Sequence, residues 1–77
     1  MVSAEYVSRK KAIRGAQVAM RTSFGADVRF EPVPRSSPFP RIFRVLDNMG
    51  HEVQNFRVFK VGIGLQEWAW EEAAPRS

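Results

Sequence analysis

"LQEWAWEEAA", residues 65–74, is the stretch whose conformation decides the architecture. As a strand it would set Trp68 and Trp70 on one face, at the two-residue period of a pleated chain. As a helix it would put Leu65, Trp68 and Ala69 on one side and turn Trp70 away from them. Alanine and glutamate predominate after Trp68, and both favour helix over strand. Pro75 supplies a stop. The expectation is a short C-terminal helix that sends one tryptophan to the core and leaves the other in surplus.

Upstream, "RIFRVLDNMGHEVQNFRVFKVGI" (41–63) has the pattern of a hairpin. Asn48-Met49-Gly50 suits a three-residue connection with Gly50 left-handed. That register sets Val45 opposite Val53, Phe43 opposite Asn55, and Arg44 opposite Gln54. Phe56 and Val58 then occupy one face and Phe59 and Val61 the other, so the alternation breaks. Either a bulge shifts the phase or the strand is covered on both faces. Gly62 and Gly64 end it. "DVRFEPV" (27–33) alternates as a half-buried strand, with Val28 and Phe30 on one side and Arg29 and Glu31 on the other. Pro32 and Pro34 stop this strand or confine it to an edge, because proline donates no ladder bond. "PVPRSSPFP" (32–40) is an extended connection, with Phe39 positioned to close over the core.

The N-terminal third has no proline from Ala4 to about Ser23 and is rich in helix formers. Ser3 is the expected N-cap, with Glu5 in the first turn. At 100° per residue Tyr6, Ile13, Met20 and Phe24 share one sector, a core-facing stripe. Gly15 falls opposite it, and Gly25 is a natural left-handed terminator. The expected architecture is α+β: an N-terminal α-helix packed on a three-stranded antiparallel sheet, with a short C-terminal helix, in the order α-β-β-β-α. In element order alone this is similar to double-stranded RNA-binding domains. Those domains begin their second helix with basic residues, whereas residues 67–72 here are acidic, so no family is assigned.

Seventy-seven residues make one small domain. The apolar share of 44% is that of a globular chain rather than a disordered one. No apolar run approaches the ~20 residues that cross a bilayer, and the N-terminus lacks a signal-peptide core. The absence of cysteine excludes a disulfide framework and a thiolate metal site, and fits a cytoplasmic location. No cofactor, metal, membrane or small-molecule substrate is expected.

No catalytic constellation is legible. His51, the single histidine, lies at the proposed turn with no nucleophile nearby. Ser36 and Ser37 lie in the proline-rich connection, not in the strand–turn–helix setting of a hydrolase. There is no phosphate loop, dinucleotide fingerprint or calcium loop. Glu67 and Glu71 would adjoin on a helix, an arrangement that would suit a hard cation but more simply makes a solvated face.

The charge pattern is more informative. Net charge is +4, and "SRKKAIRGAQVAMR" (8–21) holds five of the twelve basic residues. On the helical wheel Lys10, Arg14 and Arg21 lie within about 40° of one another, spanning ~16 Å of axis. Such a row suits a polyanion backbone, and Arg35, Arg41, Arg44, Arg57 and Lys60 would extend it if the open face of the sheet turned the same way. Long basic side chains also cover apolar margins with their methylenes, which accounts for the row without a ligand.

The first expectation is thus a non-enzymatic protein that binds nucleic acid, or a nucleoprotein complex, through Lys10, Arg14, Arg21, Arg44 and Arg57, by backbone rather than base contact. The alternative is a protein-interaction module. It would be a homodimer, or an inhibitor of a host macromolecular complex of the type phages and plasmids carry, using Trp68, Trp70 and Phe39.

Overall fold

The structure is a computed structural model that describes residues 6–34, 39–62 and 67–73. Ser3, Ala4, Glu5, Arg35, Ser36, Ser37, Gly64, Leu65 and Pro75, named in the sequence reading, lie outside the described residues. One helix, α1 (Arg9–Phe24), precedes strands β1 (Arg29–Val33), β2 (Ile42–Leu46), β3 (Glu52–Lys60) and β4 (Trp68–Ala73). The strands form one antiparallel sheet in sequence order, β1-β2-β3-β4. The α+β class and the small single domain stand as expected; the strand count and the closing helix do not.

The correction begins at residues 68–73. They pair with β3 along their whole length, Val58 opposite Trp70 and Arg57 opposite Glu71. Strand geometry sends both Trp68 and Trp70 toward α1, and Trp70 is buried. A buried tryptophan removes about 150–250 Å² from water, worth ~4–6 kcal/mol. Helix propensity across the same six residues amounts to ~0.5 kcal/mol apiece at most, so burial prevails.

The helix begins later than expected for a related reason. Val7 is extended and exchanges two backbone bonds with Trp68, each 2.8 Å. Tyr6 and Val7 therefore lie outside the helix. Ser8, with extended φ −64° and ψ 158°, is the N-cap, and its side chain accepts from the Lys11 amide at 3.4 Å. Gly25 ends α1 at φ 111°, its N–H donating to the Arg21 carbonyl at 2.9 Å.

The buried face of α1 is Ala12, Ala16 and Met20, with Ile13 and Ala19 flanking. The expected stripe holds only at Met20 and Ile13; Tyr6 and Phe24 are exposed. Alanines at positions 12 and 16 let the helix approach the sheet closely, and it packs across β3 and β4. Gly15 lies beside the Trp70 indole rather than in open solvent. A methyl group there would sit 3.4 Å from Nε1.

Phe56 is the centre of the core. The Phe43 ring stacks on it at 4.9 Å, and the Phe30 ring meets it edge-on at 6.0 Å. This contact exists because the hairpin register differs from the simple one. Leu46 pairs with Glu52 but Val45 pairs with Gln54, so Val53 is an extra residue and the register shifts. Phe43 thereby faces Phe56 instead of Asn55, and Arg44 faces Asn55 instead of Gln54. The turn is as expected: Asp47 pairs with His51, the Gly50 amide donates to the Asp47 carbonyl, and Gly50 has φ 85°. Pro32 lies in β1, an edge strand, where its missing donor costs no ladder bond.

Candidate functional site

Alternation and register divide the charges between two faces. The face away from α1 carries Arg29, Glu31, Arg44, Glu52, Arg57 and Glu71. Arg44 holds Glu31 at 2.7 Å and Glu52 at 3.6 Å. Arg57 donates through Nε to Glu71 at 2.9 Å, a second bond runs from its Nη2, and its guanidinium lies 5.1 Å from the Phe59 ring centre. Both arginines are compensated by this chain's own carboxylates. They do not extend the helix row; they lie on the opposite side of the sheet. A shallow groove of about 230 Å³ on that face is lined by Glu31, Ile42, Arg44, Glu52 and Asn55, with the carboxylates engaged by Arg44.

The face bearing α1 is different. Lys10, Arg14 and Arg21 are all exposed on one helix, and none of the three makes an ion pair among the described residues. Their row lies roughly 140° around the helix from the buried Ala12–Ala16–Met20 line, so it points well into solvent. Arg21 alone leans back, its guanidinium 5.1 Å from the Phe30 ring centre, which ties the end of the row to β1.

At the N-terminal end of α1, on the side turned toward the sheet, sits a cluster that the sequence did not suggest. The Arg9 guanidinium lies 5.8 Å from the Phe39 ring centre and 5.9 Å from that of Trp68. The Arg41 guanidinium is 5.7 Å from the Trp68 ring. Arg9 also donates to the Pro40 carbonyl, which fastens the end of the β1–β2 connection to the start of α1. Neither Arg9 nor Arg41 has a carboxylate partner among the described residues. Positions 9, 39, 41 and 68 come from three distant parts of the chain. No spacing links them, and only the pairing of Val7 with Trp68 and of Arg41 with Val58 brings them together.

The interaction residues of the alternative reading separate. Trp70 is buried, Trp68 is half-buried between two guanidinium groups, and Phe39 is 72% exposed. With residues 68–73 extended, Glu67 and Glu71 stand ~13 Å apart along the strand rather than side by side. No group of three or more metal-ligating side chains occurs among the described residues, and no helix among them is long and apolar enough to cross a membrane. His51 is exposed at the turn, its Nδ1 3.6 Å from Asp47, with no serine or threonine hydroxyl hydrogen-bonded to it among the described residues. Compared with known proteins, this chain matches no family model, no curated protein and no solved structure.

Proposed function

We propose that this protein binds nucleic acid without catalysing a reaction on it, using the helix face that carries Lys10, Arg14 and Arg21. The observation behind this reading is the segregation of charge. Among the described residues, these three cations on the helix side are solvent-facing and uncompensated by carboxylates, whereas Arg44 and Arg57 on the far side of the sheet are neutralised internally. Three such cations along ~16 Å of helix meet the repeating phosphates of a polynucleotide, and each contact releases condensed counterions. Arg44 and Arg57 are not included in the proposed surface.

Fluorescence anisotropy with labelled DNA and RNA over a range of salt concentrations tests the proposal. Affinity should fall steeply as salt rises. Replacing Lys10, Arg14 and Arg21 together by glutamine should reduce the log–log salt slope by about 2–3, at roughly 0.7–0.9 for each phosphate left unneutralised. Failure to bind any polynucleotide at low salt, or an unchanged slope in the triple variant, overturns it.

A further inference from the structure

We propose that Phe39, with Arg9, Arg41 and Trp68 behind it, is a stacking platform for an unpaired base, so that the preferred ligand is a single strand. This inference rests on the nucleic-acid reading above and names the form of nucleic acid. The side chains alternate aromatic and cationic: Phe39, Arg9, Trp68, Arg41, with ring-to-guanidinium separations of 5.7–5.9 Å. Guanidinium planes and aromatic rings are the two kinds of surface on which bases stack. Phe39 is 72% exposed, yet it is not adrift, because Arg9 is bonded to the carbonyl of the next residue, Pro40. A ring held in place loses little further freedom when a ligand covers it.

Charge selects the occupant. Arg9 and Arg41 lack carboxylate partners among the described residues, so the platform suits a flat ring that carries a negative group. Lys10 follows Arg9 directly and begins the row that continues through Arg14 to Arg21. Arg9 lies about 100° around the helix from Lys10, so a strand that touches both the row and the platform crosses the N-terminal end of α1. In a duplex the faces of the bases are already stacked and only their edges are open, so a duplex meets the row but not the platform.

Three probes of equal length separate the two readings: a labelled oligothymidylate, a blunt duplex, and an abasic deoxyribose-phosphate strand. The unmodified protein should bind the oligothymidylate more tightly than either of the others. Phe39→Ala should weaken oligothymidylate binding by about five- to a hundredfold, the range for removing one base–aromatic stack, and leave duplex and abasic binding unchanged. Phe39→Trp should keep the preference, whereas Phe39→Leu, apolar but not flat, should lose it. Phe39 is exposed, so these variants should melt with the parent; if Phe39→Ala does not, Phe39→Leu takes its place in the comparison. Equal binding of all three probes, or an equal effect of Phe39→Ala on all three, overturns the platform and leaves the phosphate row standing. No binding to any probe overturns both, and would point instead to a protein partner at Phe39.

Discussion

Asp47 shows how one side chain can fix a turn. Its Oδ1 accepts from the amides of Met49 at 2.9 Å and His51 at 2.8 Å. The bond from the His51 amide is the main cause holding its carboxyl below the ordinary 3.8, with the Met49 and Gly50 amides and the His51 side chain adding to it. A carboxyl whose folded value is depressed binds protons more readily unfolded. Its stabilising effect is therefore complete above the ordinary value and lost as pH falls through the folded one. Asp47→Ala should lower the urea midpoint at neutral pH, and the gap from the parent should close well below pH 3.8. A gap that persists there would assign the effect to the backbone rather than to the carboxylate. The same residue keeps Gly50 in register with the left-handed conformation that the three-residue loop requires.

At the scale of elements, the spacing between α1 and the sheet depends on two alanines. Ala12 and Ala16 are fully buried against the core around Phe56 and Val58. Ala16→Leu has no room to expand into and should cost about 1–3 kcal/mol by overpacking, measured by denaturant melts. Leu at exposed position 18, in place of Val18, should be near neutral by the same measure. The sequence made much of this layer legible: β1 with its proline edge, the hairpin with its glycine turn, and the faces of Phe56, Val58 and Phe59 were all readable from period-two alternation. Two segments misled, and they misled together. Residues 4–8 and 68–73 each favour helix locally, yet Val7 and Trp68 pair as extended chain. A pairing across sixty residues leaves no mark in local composition. The bulge at Val53 was recognised only as a broken alternation, because period alone does not say which residue is the extra one. The charge row was visible because helical spacing is regular. The Arg9–Trp68–Arg41 cluster was not, because it is assembled by topology.

The whole molecule has two electrostatic sides. One carries the helix and its solvent-facing cations; the other carries Arg44 and Arg57 within pairs to Glu31, Glu52 and Glu71. Partly exposed pairs of this type stabilise by ~0.2–1 kcal/mol and present little net field to a distant anion. Arg44→Gln with Arg57→Gln should therefore lower stability slightly while leaving the salt slope of nucleic-acid binding unchanged. A diminished slope in that double variant would move the binding surface to the far face.

The two tryptophans also make the protein its own optical probe. Trp70 is sealed beneath the helix, and Trp68 stands between two guanidinium groups. Emission from Trp68, isolated by Trp70→Phe, should be quenched more strongly by iodide than by caesium, since Arg9 and Arg41 gather anions around the indole. Added sodium chloride should erase that difference. Emission from Trp70, isolated by Trp68→Phe, should respond weakly to both ions.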